Sequence, residues 1–143
     1  MIEITTSFVI SGEELSFAEM TDIVGLTPSE TRRKEEYYVP QFAKDTWDYC
    51  LTDVYPVPEW GDKGIPYPDV MTQLGEIQSL LEDRVDAIRE YCAPRKLEVV
   101  FVVASSSEDD RQPLMDLPAD FISFMARLGA RISFDLYVNV TTL

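Results

Sequence analysis

The longest regular pattern of apolar and polar positions spans residues 69–92. Its apolar residues recur every three or four positions, which places them on one face of an α-helix: Val70, Leu74, Ile77, Leu81, Val85, Ile88 and Tyr91. Asp69 can cap the first turn, and Pro94 excludes further helix. We therefore predict one core helix, roughly 35 Å long at about 1.5 Å per residue, around which the domain is organised.

Two shorter helices are predicted from similar spacing and from their capping residues. Ser16 and Glu19 have the spacing of a capping box before an apolar stretch that ends at Gly25. The second stretch begins at Pro118 and closes at Gly129, which is suited to a helix C-cap.

Four segments carry the residue pattern of β-strands. Residues 5–11 and 46–52 are rich in β-forming side chains, and residues 132–138 alternate between apolar and polar. Residues 97–104 are almost continuously apolar, as expected for a strand buried in the middle of a sheet. The basic cluster within residues 31–36 is predicted to be a loop or an edge strand.

The order of these elements indicates the fold class. A strand and a helix are followed by one or two strands, and then by a helix, a strand, a helix and a final strand. A chain of 143 residues is the size of one domain, and it contains no internal repeat. We predict a single α+β domain over residues 1–143, with a four- or five-stranded, mainly antiparallel sheet and three helices packed on one side.

The charge composition restricts the partners that the chain can bind. It contains 12 lysine and arginine residues against 26 aspartate and glutamate residues, for a formal net charge of −14. Because phosphates must be met with cations, this balance argues against binding nucleic acid, and it also disfavours docking on anionic lipid. It favours attraction to a basic protein partner.

The expected location is the cytoplasm. No apolar run approaches the roughly 20 residues needed to span a bilayer, and the first residues lack the basic region of a signal peptide. In that compartment Cys50 and Cys92 are expected to be free thiols.

Few residues are suited to catalysis or to metal binding. The chain has no histidine, which removes the usual general base near neutral pH and every Ser-His or Cys-His pair. Its six glycines are scattered and form no phosphate loop, and two cysteines without histidine are a poor zinc set. Glu108, Asp109 and Asp110 lack the alternating spacing of a calcium loop. We therefore expect no enzyme activity, no metal and no cofactor.

The proline-rich segment, residues 53–68, differs in amino-acid composition from the rest of the chain. Its four prolines and two glycines exclude a central helix or strand. It offers aromatic side chains as candidate binding anchors and acids around them: Asp53, Tyr55, Glu59, Trp60, Asp62 and Tyr67. Such a long loop is either an ordered loop held on the core by its aromatics or a binding site. Glu108, Asp109 and Asp110 form a second candidate acidic surface.

Short motifs spread over nearly the whole chain resemble a known family. They are Ser7-Phe8-Val9-Ile10-Ser11-Gly12, Leu26-Thr27-Pro28, a lone Trp47 in a strand, Leu128-Gly129 and Phe134-Asp135-Leu136-Tyr137. Together they resemble the bacterial domain of unknown function 4279. Family members commonly carry Lys-Gly after the proline turn, whereas this chain has Lys34-Glu35. The family has no established reaction. Small acidic domains of this kind also resemble the immunity proteins of bacterial toxin systems.

The leading hypothesis is therefore an immunity-type protein that binds and inhibits a basic protein toxin, such as a nuclease. An acidic surface would steer the association and oppose a cationic active site. Two alternatives remain open. One is a small carboxylate-based enzyme or ligand-binding domain, and the other is a nucleic-acid mimic that occupies a DNA-binding protein.

Overall fold

The core of the protein is one five-stranded mixed sheet. The computed structural model describes residues 1–36 and 43–138. The strands are β1 (Ile2–Gly12), β2 (Glu30–Arg32), β3 (Asp45–Tyr55), β4 (Glu98–Ser107) and β5 (Ala130–Val138), and their order in the sheet is β2-β3-β1-β4-β5. The predicted α+β class and the mainly antiparallel sheet are confirmed, because the pairings β2–β3, β3–β1 and β1–β4 are all antiparallel.

The strands are longer than their residue patterns predict. β1 and β3 each have 11 residues and pair along their full length, from Ile2 opposite Tyr55 to Gly12 opposite Asp45. Glu3 and Asp53 have little strand preference of their own, but pairing with neighbouring strands supplies backbone hydrogen bonds, on both sides of Glu3 and from β1 for Asp53. The first three residues of the proline-rich segment therefore belong to β3.

The last strand pairs in parallel with β4, from Val99 opposite Ala130 to Ser107 opposite Val138. The chain reaches β5 through the helix α4 (Ala119–Leu128), which returns it to the end of the sheet where β4 begins. A helical crossover of this kind is the usual connection between parallel neighbours.

The predicted long helix is broken, which corrects the expectation of one continuous helix over residues 69–92. It consists of α2 (Met71–Leu81), a 3₁₀ turn (Glu82–Arg84) and α3 (Val85–Cys92). The break falls where three polar residues separate two buried apolar ones. α3 packs against α4 and against the first helix, α1 (Phe17–Val24), while α2 packs on β1 and α4. Tertiary packing thus overrides helical periodicity at this point.

The apolar face of the broken helix is buried as its spacing predicts. Its residues are fully or almost fully buried except for Tyr91, which is half-buried: Val70, Leu74, Ile77, Leu81, Val85 and Ile88. They share the core with a chain of neighbouring rings, Trp47, Phe8, Phe101, Phe121 and Phe124. Burial alternates along β1, which shows that the helices cover one face of the sheet.

The predicted caps are also present at the helix ends. The Ser16 hydroxyl accepts a hydrogen bond from the Glu19 backbone N–H at 3.3 Å, and Gly25 closes α1 in the left-handed conformation with φ +78°. The Asp69 carboxylate accepts a hydrogen bond from the Met71 N–H at 2.9 Å, at the start of α2. In the described ranges, no helix is both long and apolar enough to cross a membrane.

Cysteine labelling should show two free thiols that differ in access. Cys92 is 2% exposed, and burial raises the pKa of its thiol to about 11. Cys50 is half-buried on β3, and desolvation raises its pKa as well. A thiol reagent near pH 8 should therefore label Cys50 before Cys92 in the folded protein, because the neutral thiol is a poor nucleophile and burial blocks access. In denaturant, mass spectrometry should find both labelled without prior reduction. An intramolecular disulfide in protein isolated from the cytoplasm would contradict this expectation.

Candidate protein-binding surface

The two candidate acidic segments leave the sheet at the same end. Ile2, at the start of β1, lies opposite both Tyr55 at the end of β3 and Ser107 at the end of β4. The proline-rich segment follows β3 and the acidic loop, residues 108–118, follows β4. The order of the strands thus places side by side two segments that are far apart in the sequence.

Backbone hydrogen bonds hold these two segments together. The Leu114 N–H donates to the Pro68 carbonyl at 2.8 Å, and the Val70 N–H donates to the Leu114 carbonyl at 3.0 Å. Asp69 and Leu114 accordingly form a short parallel β-bridge. The Tyr67 hydroxyl adds a hydrogen bond to the Gln112 carbonyl at 2.9 Å. The proline-rich segment is therefore anchored to the acidic loop at its C-terminal part.

Trp60 lies at the tip of a tight turn and is fully exposed. The Asp62 N–H donates to the Glu59 carbonyl at 3.0 Å, and Gly61 has φ +94°, which is the arrangement of a type II β-turn with glycine at its third position. The Asp62 carboxylate also accepts from the Glu59 N–H at 2.6 Å. This turn presents the Trp60 ring to solvent, with a relative exposure of 103%.

Arg111 connects the two acidic segments through charge. Its Nε donates a hydrogen bond to the Asp109 carboxylate at 2.7 Å, and its Nη2 lies 2.6 Å from the same carboxylate. The Glu59 carboxylate lies 3.8 Å from Nη1 of the same guanidinium. The side-chain and backbone hydrogen bonds from Arg111 hold the pKa of Asp109 well below its usual range. Asp109 and Arg111 therefore form a local ion pair in which the guanidinium offsets the charge of the carboxylate.

The two candidate tyrosines are partly buried and do not flank Trp60 as open anchors. Tyr55 packs against the core, and burial raises the pKa of its hydroxyl, which also shares a hydrogen bond with Gln73. Together with Tyr67 and the neighbouring prolines it lines a pocket of about 390 Å³, whose lining is Tyr55, Pro56, Pro66, Tyr67, Pro68, Asp69 and Thr72.

The remaining candidate acids are exposed at the same end of the sheet. Asp53 lies near the end of β3 and accepts a hydrogen bond from the Val54 N–H at 2.8 Å. Glu108 and Asp110 flank the ion-paired Asp109 on the acidic loop. Every acid proposed from the sequence for the binding surface therefore lies on one end of the domain.

Sequence reasoning missed Arg111, which links the two loops. The signal available in the sequence is its position two residues after Asp109, a spacing that allows a local ion pair in a loop. Its contact with Glu59 could not be read from the sequence, because that contact depends on the docking of two distant segments. The described residues include no group of three or more cysteine, aspartate or glutamate side chains that could hold a metal ion.

Comparison with known proteins identifies the family but adds no function. No curated protein and no solved structure matches the chain. A family model described as "Domain of unknown function (DUF4279)" matches residues 2–139, almost the whole chain. The family resemblance drawn from the sequence motifs is confirmed, and the chain belongs to the DUF4279 family.

Proposed function

We propose that this protein is an acidic binding protein of the immunity type, which inhibits a basic protein toxin through the end of the sheet that carries Trp60. The observation that carries the proposal is the complete exposure of a tryptophan in a turn between Glu59 and Asp62. Trp60 is the anchor, and Glu59 and Asp62 place carboxylates beside it in the same turn.

The exposure of Trp60 supports a binding role because it has no structural benefit for the isolated domain. A tryptophan buries 150–250 Å² of surface, as a rough range, when it finds a partner. The chain buries its other tryptophan, Trp47, completely. Tryptophan is also enriched among the interface residues that contribute most to affinity. The hydrogen-bonded turn fixes the backbone around Trp60, so binding has less backbone freedom to remove.

The carboxylates next to Trp60 suit a cationic partner. Glu59, Asp62, Glu108 and Asp110 are exposed, whereas Asp109 is ion-paired with Arg111. With a net charge of −14, the whole molecule attracts a basic protein and speeds their encounter. Carboxylates placed against a cationic active site would occupy the groups that bind the phosphates of a nucleic-acid substrate.

The association rate with a toxin domain should depend strongly on salt. The test is a stopped-flow or surface-binding measurement with the purified basic toxin domain encoded by a neighbouring gene. We expect inhibition of the toxin, and an association rate that falls about tenfold or more between low and physiological ionic strength. The matched control is the charge variant Glu108→Gln together with Asp110→Asn, which should lower the rate at low salt more than at high salt.

Two results would contradict this proposal. An association rate that does not change with ionic strength would show that charge does not steer the binding of the toxin. Neighbouring genes that encode metabolic enzymes and no toxin-bearing protein would argue against the immunity role and favour a ligand-binding domain.

The pocket beneath the proline-rich segment supports that second candidate. Its volume of about 390 Å³ lies within the usual range for small-molecule sites, and its walls are formed mainly by tyrosine and proline. A small aromatic or apolar molecule would fit such walls. Detection of a bound metabolite in the purified protein by mass spectrometry would favour this function over toxin inhibition.

A further inference from the structure

A second group of charged side chains lies at the opposite end of the sheet, and there the cations slightly outnumber the acids. β1 ends there at Gly12, opposite Asp45 at the start of β3, and β4 begins there at Glu98. Between the turns at this end lies a cleft of about 850 Å³, which we name the basic cleft. Its charged lining consists of four cations and three acids: Arg33, Lys34, Arg95, Lys96, Glu13, Glu14 and Asp45.

Arg33 is held in place on one wall of the basic cleft. Its guanidinium stacks over the Phe17 ring at 3.9 Å, and Nη1 donates to the Leu15 carbonyl at 2.7 Å and to the Asp45 carboxylate at 3.0 Å. Asp45 is 4% exposed and also accepts from the Leu15 and Lys34 backbone N–H groups. Among the described residues, all hydrogen bonds of Arg33 involve Nη1, which leaves its other donor groups for a ligand.

The opposite wall holds a second stacked arginine. The Arg95 guanidinium lies 3.9 Å from the centre of the Tyr91 ring and donates through Nη1 to the Tyr91 carbonyl at 3.0 Å. Lys96 follows in the turn before β4, and its backbone has φ +56°. That left-handed conformation is uncommon outside glycine and asparagine. A glycine at position 96 would therefore be less strained than the lysine that is present.

Three of the four cations of the basic cleft form no ion pair among the described residues, and the fourth, Arg33, pairs with Asp45. Arg127 and Arg131 each pair with a surface carboxylate. Within the described ranges, Lys34, Arg95 and Lys96 have no carboxylate within ion-pair distance, and the Lys34 ammonium donates to the Glu13 carbonyl at 3.0 Å. Four cations face three carboxylates in the cleft, whereas acids outnumber cations by 26 to 12 in the chain. The cleft is thus locally cationic by one charge in an otherwise acidic protein, and an anion bound there would meet a favourable potential.

We propose that the basic cleft binds a small anion that carries phosphate groups, of the size of a pyrophosphate or a nucleotide. Planar guanidinium groups form paired hydrogen bonds with phosphate oxygens, and the two lysines add point charges. The cleft volume lies within the range of small-molecule sites. A long polyanion is excluded as ligand, because the acidic remainder of the molecule would repel the parts that extend beyond the cleft. This inference does not depend on the proposed toxin partner, which would bind at the other end of the sheet.

Calorimetric titration with sodium pyrophosphate at low salt tests the proposal. We expect saturable binding with a dissociation constant below about 1 mM. Replacing either Arg95→Gln or Lys96→Gln should weaken binding by about tenfold or more, the usual effect of losing a charged hydrogen bond to phosphate. Both side chains are exposed, so circular dichroism should show that each variant keeps its fold. Backbone amide shifts in an NMR titration should centre on residues 33–34 and 95–96.

The matched control is Lys63→Gln, which removes one exposed cation from the proline-rich segment at the other end of the sheet. It should change pyrophosphate affinity less than about twofold, since long-range charge effects are screened by salt. Equal losses in Lys63→Gln and Lys96→Gln would show a general charge effect and overturn the assigned position. Citrate binding more tightly than pyrophosphate would overturn the phosphate assignment, and the absence of saturable binding would overturn the site.

Discussion

Replacing Leu81 by aspartate should abolish the cooperative unfolding transition of the domain. Leu81 is 0% exposed at the end of α2, in the centre of the core cluster. Truncating a buried leucine costs about 2–5 kcal/mol, and burying a carboxylate without a partner adds several kcal/mol. Native domains have a free energy of unfolding of only about 5–15 kcal/mol. Circular dichroism of Leu81→Asp at 25 °C should therefore show an unfolded or molten chain.

The neighbouring residue provides a matched control for this substitution. Leu80 is 43% exposed and lies on the other side of the same helical turn. Leu80→Asp has the same chemistry and the same loss of helix propensity, and it should change the free energy of unfolding by about 1 kcal/mol or less. A cooperative, near-native melting curve for Leu81→Asp would show that this face of α2 does not support the core.

Replacing the two tryptophans by alanine should have opposite consequences for stability and binding. Trp47 is 0% exposed, donates from Nε1 to the Thr21 hydroxyl at 3.1 Å and contacts the edge of the Phe8 ring. Trp47→Ala should reduce the free energy of unfolding by about 3–5 kcal/mol, as measured by chemical denaturation. Trp60→Ala should change it by about 0.5 kcal/mol or less, because the Trp60 ring is wholly exposed.

Partner affinity should follow the reverse order. With the toxin domain as ligand, Trp60→Ala should weaken binding by about 2 kcal/mol or more, the scale of an interface hot spot. The folded fraction of Trp47→Ala should bind normally, since Trp47 does not reach the surface. Unchanged affinity in Trp60→Ala would reject the proline-rich segment as the binding site, and Glu108 to Asp110 would be the next surface to test.

The exposure of Trp60 could not be decided from the sequence. Prolines and glycines in residues 53–68 predict an irregular segment, but such a segment can fold onto the core or extend from it. The structure shows both arrangements within one segment. Tyr55 and Tyr67 fold inward, with Tyr67 held by the Gln112 carbonyl, while the turn at Gly61 turns Trp60 outward.

The broken helix shows a similar limit of sequence reasoning. The apolar spacing from Val70 to Ile88 predicts correctly which side chains are buried, because burial depends on the face they occupy. It does not predict the 3₁₀ turn at Glu82–Arg84. That turn depends on where α1, α4 and β1 lie, and each of them is placed by contacts distant in the sequence.

The sequence by itself determined the approximate positions of the main helices and strands, the caps of α1 and the buried face of the broken helix, because periodicity and capping act over a few neighbouring residues. Only the tertiary structure decided the pairing of β5 with β4, the joining of Glu59 to Asp109 through Arg111, and the meeting of Arg33 with Arg95 in one cleft. Each of these depends on the order β2-β3-β1-β4-β5, which brings distant segments to common ends of the sheet. Strand order is settled by how the whole core packs, and no short stretch of sequence contains that information.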